Sequence, residues 1–194
     1  MPVYDKYYQT PNLFGVPYPE LLRFFVSYAP KGKVLDMGCG QGRDALALAR
    51  IGYSVIGLDN SRQGIMQMIQ EAEARNLSVE AKVADIYQFE DYAAYDVVLL
   101  DSMFHFDKKG IKKEKGLLER IAREIRPGAL ICICIQDTGA KVNILKQTLS
   151  DTDITWEALE DVSLQYQLLD QSSGHKSTTP YRMYIVKKSV QEAA

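Results

Sequence analysis

Short apolar runs, each bounded by turn residues, recur along the chain and alternate with more polar segments. They read "KVLDMG", "YSVIGLD", "VEAKVAD", "YDVVLLD" and "ALICICI". Each run is continuously apolar or rich in branched residues, which is typical of a strand buried on both faces of a parallel sheet. The pattern therefore predicts a buried strand at each run.

Segments with helical periodicity separate these runs, and they cover 43–50, 62–75 and 111–125. The third helix ends before "RPG", because Pro127 cannot continue a helix and Gly128 supplies the turn. Strands that alternate with helices favour a parallel sheet with helices on both faces. We therefore expect an α/β fold.

The last part of the chain departs from this alternation. A helix is predicted over 140–149, and two strand-like segments follow, "WEALEDVSLQYQLLD" and "PYRMYIVKK", joined by the loop "QSSGHKSTT". Two long strands with no helix between them indicate an antiparallel hairpin, because parallel neighbours need a longer crossover connection. We expect this hairpin to close one edge of the sheet.

The chain length is that of one domain. Of its 194 residues, 46% are hydrophobic and 25% are charged, a balance typical of globular proteins with a sizeable core. We predict a single domain over 1–194. It comprises an aromatic N-terminal arm and a helix within 1–30, the helix covering 19–28, and the α/β core over 31–194.

Charge and cysteine usage narrow the range of partners. The net charge is −2 and Lys and Arg are spread along the chain, which argues against a general nucleic-acid or membrane-surface binder. No signal-peptide pattern is visible, and no apolar run approaches the roughly 20 residues that span a bilayer. Cys39, Cys132 and Cys134 lack the paired spacing of a zinc site. We expect a reduced, cytoplasmic setting and no metal.

The stretch "VLDMGCGQGRDALALA" places glycines at alternate positions where a strand passes through a turn into a helix. Ligands of open α/β folds bind at this carboxyl edge of the sheet. The dinucleotide fingerprint needs a third glycine three positions after the second, where this chain has Arg43 and places Gly42 one residue earlier. Asp36 would also repel a pyrophosphate. Phosphate is therefore a poor ligand for this loop.

A ligand with a cationic end suits the loop better. An amino-acid ammonium can pair with Asp36 directly or through water, and Gly38 and Gly40 allow a close approach of the backbone. After the second strand, Asp59 can accept both hydroxyls of a ribose. After the third strand, Asp85 can accept from an exocyclic amine while Ile86 covers an adenine face. Ammonium, ribose and adenine together describe S-adenosylmethionine.

Taken one at a time, the same residues have a simpler structural interpretation. Gly38, Gly40 and Gly42 also suit a turn, and Asp59 and Asp85 also suit helix caps. A small buried residue such as Cys39 suits packing better than nucleophilic chemistry. Their joint position at the carboxyl ends of strands favours a cofactor site.

The segments "VLDMGCGQG", "GLDNS", "VADI" and "YDVVLLD" resemble the successive motifs of class I S-adenosylmethionine-dependent methyltransferases, in order and spacing, over 33–135. The resemblance implies a Rossmann-like sheet of seven strands, mostly parallel with one antiparallel strand. It also implies S-adenosylmethionine as cofactor. It carries cofactor roles onto Asp36, Gly38, Gly40, Asp59 and Asp85. We also predict cofactor contacts for Cys39, Gly42, Arg43, Asn60, Ile86 and Asp101.

The arm "YDKYYQTPNLFGVPYPELLRFF" is similar to the segment before the first motif in small thiol, thiopurine and tellurite-resistance methyltransferases. "GQGRDALALARIGYSVIGLD" resembles the same group, although Phe14 stands where that group has tryptophan. We predict that Tyr4, Tyr8 and Phe14 form a lid over the cofactor. The alternative is that aromatic residues of this segment pack in the core, which we prefer for Phe24 and Phe25.

Methyl transfer depends mainly on positioning the acceptor in a dry pocket, and it needs a general base only when the acceptor arrives protonated. "DSMFHFD", after the fourth strand, offers Asp101 and His105 as catalytic candidates, with Ser102 and Phe104 lining the pocket. His105 also suits a hydrogen-bonded residue that opens the next helix. The spacing of Asp101, His105 and Asp107 matches no recognised metal site.

No large insertion follows the fourth or fifth strand, which favours a small acceptor bound by the arm and by the loop around His175. The lysine-rich run "KKGIKKEK" is typical of a solvated helix start, and attraction of an anionic substrate is its alternative role. We predict an S-adenosylmethionine-dependent methyltransferase for a small molecule, such as a thiol or another soft nucleophile. The alternatives are a nicotinamide-dependent oxidoreductase and a catalytically inactive S-adenosylmethionine-binding module.

Overall fold

A computed structural model describes residues 5, 8–169 and 176–190. Each predicted helix is present, with ends within two residues of the predicted ones. None of the helices in these ranges is long and apolar enough to cross a membrane. The helices are α1 (Pro19–Ser27), α2 (Arg43–Arg50), α3 (Arg62–Ala74), α4 (Ile111–Glu124) and α5 (Ala140–Ser150). The strands are β1 (Lys33–Met37), β2 (Ser54–Asp59), β3 (Val79–Val83), β4 (Val97–Asp101), β5 (Leu130–Gln136), β6 (Trp156–Leu169) and β7 (Lys176–Lys188).

The strands form one seven-stranded sheet in the order β3-β2-β1-β4-β5-β7-β6. β1 with β2, β2 with β3, and β4 with β5 are parallel pairs. β7 runs antiparallel to β5, in a register that extends from Leu130 opposite Lys187 to Gln136 opposite Tyr181. The predicted Rossmann-like sheet, mostly parallel with antiparallel strands at its C-terminal side, is confirmed.

β3 does not fit the prediction of a strand buried on both faces. It lies at the edge of the sheet, and 47% of Val83 is exposed. Glu80 and Lys82 are at least partly exposed as well. An edge strand keeps one side open to solvent. It can therefore carry the charged residues within "VEAKVAD", which a central strand could not bury.

The boundary of the C-terminal strands also differs from the expectation. β7 begins at Lys176, inside the segment predicted as a loop, and β6 ends at Leu169. The loop around His175, which we expect to contact substrate, and Tyr4 of the expected lid lie outside the described residues. The predictions for both therefore stay predictions.

The chain divides into two compact units. The first unit comprises Met1–Phe89 and Gln165–Thr179, and the second comprises Glu90–Leu164 and Pro180–Ala194. The first contains α1 to α3 with β1 to β3. The second contains α4, α5, β4, β5 and the larger parts of β6 and β7. The prediction of a single domain over 1–194 stays a prediction.

In the second unit, Lys188 closes the carboxyl end of α4. Its ammonium donates to the carbonyl oxygens of Ala122, Arg123 and Ile125 at 3.0, 2.8 and 2.8 Å. Carbonyls in the last turn of a helix have no partner within the helix, and the helix dipole favours a cation there. This contact stabilises the carboxyl end of α4. The same helix carries Glu114, which holds the loop after β4.

We expect Lys188→Met to lower the free energy of unfolding by roughly 1–3 kcal/mol, because methionine keeps the aliphatic stem but removes the charged donors. Lys187→Met is the matched control, since the Lys187 ammonium only approaches the Glu157 carboxylate to 3.8 Å at the surface. That substitution should change stability by less than about 1 kcal/mol. Urea unfolding measures both, and equal losses would contradict the capping role of Lys188.

Candidate functional site

The loop between β1 and α2 is tied to the end of β2 through its backbone. The amides of Gly38 and Cys39 both donate to the carbonyl oxygen of Leu58, at 2.7 and 3.0 Å. Gly38 and Gly42 both have φ of 83°, in the left-handed region that glycine adopts without steric cost. The glycines of the motif therefore make a tight turn at the carboxyl end of β1.

Close packing around this loop leaves no room for a side chain at Gly42 or at Gly64. A Cβ atom on Gly42 would lie 2.3 Å from Cγ of Met68, and one on Gly64 would lie 2.7 Å from the carbonyl oxygen of Gly40. The first turn of α3 thus contacts the loop directly. Sequence analysis missed Gly64, although a glycine inside a helix costs about 1 kcal/mol relative to alanine and so indicates a steric requirement.

Asp59, the last residue of β2, holds the loop from one side. It is 8% exposed, its Oδ2 accepts from the amide of Gly40 at 2.9 Å, and its Oδ1 accepts from the amide of Ser61 at 2.7 Å. Burial raises the pKa of Asp59, against the lowering effect of these bonds, and nearby Asp5 raises it further. Ser61 caps α3, because its hydroxyl accepts from the amide of Gly64. Asp59 therefore ties the loop to β2 and does not cap α3.

Asp36 supplies a second buried carboxylate. It is 3% exposed and lies opposite Gly57 in the register of β1 and β2. Burial raises the pKa of the Cys39 thiol well above its usual value, and the charges of Asp36 and Asp59 raise it further. Cys39 therefore stays protonated and suits packing rather than nucleophilic chemistry. Two buried carboxylates beside a loop without bulky side chains suit a ligand with cationic and hydroxyl groups.

The N-terminal arm is anchored to the loop and to α3 by polar side chains. Asp5 Oδ1 accepts from the hydroxyl of Ser61 at 2.5 Å. Gln67 donates to the carbonyl oxygen of Tyr8 at 2.8 Å. Gln41 donates to the carbonyl oxygen of Thr10 at 2.8 Å and accepts from the amide of Leu13 at 2.9 Å. These anchors were not predicted, because each joins residues that are far apart in sequence.

Two of the aromatic residues expected in a lid lie in this arm. Tyr8 is 4% exposed, and its ring meets that of Phe14 edge to face with centroids 6.1 Å apart. A Cβ atom on Gly40 would lie 2.5 Å from the Tyr8 hydroxyl. Tyr8 thus packs directly on the loop, and its contact with a cofactor stays a prediction, as does that of Phe14.

Arg43 and Asp44 form an ion pair at the start of α2. The Arg43 Nε and Nη2 donate to the two carboxylate oxygens of Asp44 at 3.1 and 2.7 Å. The guanidinium carbon lies 5.1 Å from the ring centre of Tyr18. These contacts orient Arg43 within the first unit, and its contact with a cofactor stays a prediction.

Asp85 and Ile86 begin a short 3₁₀ turn after β3. Asp85 is exposed and its Oδ1 accepts from the amide of Tyr87 at 3.0 Å, whereas Ile86 is buried. Asp85 therefore caps this turn, as the structural interpretation of the sequence proposed. Asn60 is exposed in the turn between β2 and α3. The adenine contacts of Asp85 and Ile86 and the contact of Asn60 stay predictions.

In the second unit, polar groups meet at the end of β4. Asp101 is 9% exposed, and its Oδ1 accepts from the hydroxyl of Ser102 at 2.8 Å. The same hydroxyl lies 3.4 Å from the hydroxyl of Tyr181. Tyr181 lies in the part of β7 that belongs to this unit. Sequence analysis did not single out Tyr181, because only the pairing of β7 with β5 brings it there.

Glu114 of α4 holds the loop after β4 through hydrogen bonds to its backbone. This buried carboxylate accepts from the amides of His105 and Phe106 at 3.2 and 2.5 Å. The His105 side chain is exposed. Asp107 accepts from the amides of Lys109 and Gly110, which lowers its pKa, and so forms the turn that leads into α4. α4 itself begins at Ile111 after this turn, so His105 does not open the helix, and a role for His105 as a base stays a prediction.

The sequence is similar to those of known methyltransferases. A family model described as a methyltransferase domain matches residues 29–188. The chain is 33% identical to 2-heptyl-1-hydroxyquinolin-4(1H)-one methyltransferase from Mycobacteroides abscessus, over 67% of this chain and 57% of that protein. It is 35% identical to the S-adenosyl-L-methionine-dependent methyltransferase TehB from Haemophilus influenzae, over 38% of this chain and 26% of that protein. The chain thus spans only part of the length of these curated relatives.

Solved structures show the same fold. The structure of TehB from Haemophilus influenzae superposes with a TM-score of 0.70 at 20% identity, and covers 96% of this chain and 66% of that one. The N-methyltransferase NodS from Bradyrhizobium japonicum, in complex with S-adenosyl-L-homocysteine, gives 0.68 at 16% identity over 92% and 91%. Because the family model covers most of the chain, the protein belongs to the class I S-adenosylmethionine-dependent methyltransferases, with S-adenosylmethionine as its cofactor.

Proposed function

We propose that the protein transfers the methyl group of S-adenosylmethionine to a small-molecule acceptor. The observation that carries the proposal is the glycine loop, which is tied to β2 through Leu58 and Asp59 and flanked by the buried carboxylate of Asp36. The relative from Mycobacteroides abscessus is named for a small aromatic acceptor, a hydroxyquinolinone. That name supports a small acceptor here.

We assign cofactor roles by matching chemistry to position. Asp36 pairs with the ammonium of the methionine end, because a buried anion gains most from a cationic partner. Asp59 accepts the ribose hydroxyls with lone pairs beyond those directed at its backbone donors, since a carboxylate offers about four lone-pair sites. Asp85 and Ile86 lie beside the adenine. Tyr8 and Phe14 cover the loop.

The acceptor is bound without a large dedicated insertion, and we propose a thiol or another compact nucleophile. Positioning of the nucleophile in line with the methyl group supplies much of the rate in such a reaction. Asp101 and His105, with Ser102 and Phe104 beside them, are the residues that we assign to the acceptor. The lysine-rich run over 108–115 follows that loop and would attract an anionic acceptor in a salt-dependent manner.

We expect S-adenosylmethionine and S-adenosylhomocysteine to bind in titration calorimetry, whereas NADH does not. Release of S-adenosylhomocysteine should follow when thiols, phenols, amines, carboxylates and selenite are supplied in turn. Turnover with one of these classes identifies the acceptor. Tight binding without turnover across the whole panel would overturn the proposal in favour of an inactive cofactor-binding module.

A further inference from the structure

We propose that Tyr181, Ser102 and Asp101 form a proton-accepting chain for an acceptor that arrives as a neutral hydroxyl or thiol. The inference rests on the proposed function and narrows its substrate class. All three residues lie in the second unit, at the ends of β4 and β7. We name this group the Tyr181–Ser102–Asp101 chain.

The number of hydrogens on each group indicates which group donates and which accepts in the Tyr181–Ser102–Asp101 chain. A carboxylate can only accept, so the Ser102 hydroxyl donates its single hydrogen to Asp101 Oδ1 across 2.8 Å. When Ser102 donates to Asp101 in this way, a hydrogen bond across the 3.4 Å between the Ser102 and Tyr181 hydroxyls requires Tyr181 to be the donor. This distance is longer than a usual O–H···O hydrogen bond, so the proton path requires the two hydroxyls to approach each other when substrate binds. With Tyr181 as the donor to Ser102, we propose that the Tyr181 oxygen acts towards substrate as an acceptor.

The backbone positions these groups across the end of β5. Asp101 lies opposite Cys134 in the pairing of β4 with β5, and Tyr181 lies opposite Gln136 in the pairing of β5 with β7. The amide of Ser102 donates to the carbonyl oxygen of Cys134 at 2.9 Å. Ser102 also has φ of 60°, which is uncommon for a residue with a side chain. Strain of this kind clusters at functional sites.

The proton balance of the reaction assigns a use to the chain. A bond forms between the acceptor oxygen or sulfur and the methyl carbon, and the carbon–sulfur bond of the donor breaks and leaves its electron pair on sulfur. The acceptor proton passes to the Tyr181 oxygen, the Tyr181 proton passes to Ser102, and the Ser102 proton passes to Asp101. Asp101 then releases the proton to water before the next turnover.

The Tyr181–Ser102–Asp101 chain selects hydroxyl and thiol acceptors over amine acceptors. A methylated hydroxyl or thiol that still carries its proton is a cation far more acidic than a carboxylic acid, so a carboxylate is a sufficient base for it. A methylated amine is a stable ammonium at neutral pH and needs no base during transfer. The presence of a three-residue proton path therefore indicates a neutral hydroxyl or thiol as acceptor.

The test compares two thiols that differ in ionisation, with release of S-adenosylhomocysteine as the measurement. 4-Nitrothiophenol is largely ionised at pH 7, and 2-phenylethanethiol is largely protonated there. In Tyr181→Phe and Ser102→Ala, we expect kcat with the protonated thiol to fall by about a hundredfold or more. With the ionised thiol, kcat should fall by less than about threefold. Tyr184→Phe is the control, because Tyr184 lies on β7 like Tyr181 but is not part of the Tyr181–Ser102–Asp101 chain. It should leave both rates unchanged.

A pH profile separates a proton path from a merely structural role. For Tyr181→Phe, the rate with 2-phenylethanethiol should rise about tenfold per pH unit, because the variant depends on the thiolate fraction in solution. The parent should show a shallower rise. Thermal unfolding and S-adenosylmethionine affinity of both variants should match those of the parent, which excludes loss of fold.

Three outcomes would overturn the inference. Equal losses with both thiols, parallel pH profiles of parent and Tyr181→Phe, or turnover with amines alone would each remove the proton-accepting role and leave the proposed function intact. Absence of turnover with thiols, phenols, amines, carboxylates and selenite alike, with S-adenosylmethionine still bound, would overturn the proposed function itself.

Discussion

Replacing Asp36 by asparagine should weaken the binding of S-adenosylmethionine by about ten- to a hundredfold. Asparagine keeps the shape of the side chain but removes the charge that we propose to pair with the ammonium of the methionine end. A hydrogen bond to a charged group contributes roughly 1.5–3 kcal/mol, and each 1.4 kcal/mol corresponds to a factor of about ten in affinity. S-Adenosylhomocysteine keeps the same ammonium and should lose a comparable factor.

Adenosine and a second variant make this result specific. Adenosine has no amino-acid end and should bind Asp36→Asn and the parent about equally. Asp85→Asn is the matched control, because we place Asp85 beside the adenine. It should weaken adenosine and S-adenosylmethionine by the same modest factor. Titration calorimetry with the three ligands gives both patterns.

One outcome would contradict the role of Asp36. If Asp36→Asn weakened adenosine as much as S-adenosylmethionine, the carboxylate would hold the shape of the loop instead of pairing with the ligand. Its burial and its position opposite Gly57 allow either role, so only the ligand comparison separates them.

Substitution of Gly64 by alanine should destabilise the protein by about 1–3 kcal/mol and weaken S-adenosylmethionine binding. The added Cβ atom would lie 2.7 Å from the carbonyl oxygen of Gly40, and backbone on at least one side has to move. Movement of Gly40 lengthens the bond from its amide to Asp59. Loop geometry and cofactor affinity are therefore coupled through one packing contact.

Gly116→Ala is the matched control for this prediction. Gly116 is exposed inside α4, and nothing lies within 4 Å of its hypothetical Cβ atom. The same substitution there should raise stability by roughly 0.5–1 kcal/mol, since alanine is the better helix former. Thermal or urea unfolding compares the two variants. A stabilised Gly64→Ala variant would show that α3 and the loop are not in steric contact.

The sequence alone predicts the local elements and the kind of cofactor. α2 has the predicted limits, because Gly42 ends the turn and apolar residues recur with helical spacing up to Arg50. The antiparallel C-terminal strands follow from two strand patterns with no helix between them. The spacing of the glycine motif and the acidic residues at the ends of β1 and β2 indicate a ligand with a cation and hydroxyls.

The tertiary structure decides which side chains meet. The bond from Gly40 to Asp59, the packing of Gly64 on the loop and the contact of Ser102 with Tyr181 each join residues from separate elements. The exposure of β3 depends likewise on its place at the sheet edge. No local pattern specifies these contacts.

The physical reason lies in the range over which each signal acts. Helical spacing, caps and turns are set by residues a few positions apart, so they can be recognised in the sequence around Gly42 or Pro127. Strand order and register are set by the packing of the whole chain, and a shift of one residue moves every side chain of a strand to the other face. The sequence therefore determines the elements and the cofactor motif, and the pairing of β5 with β7 decides that Tyr181 lies beside Ser102.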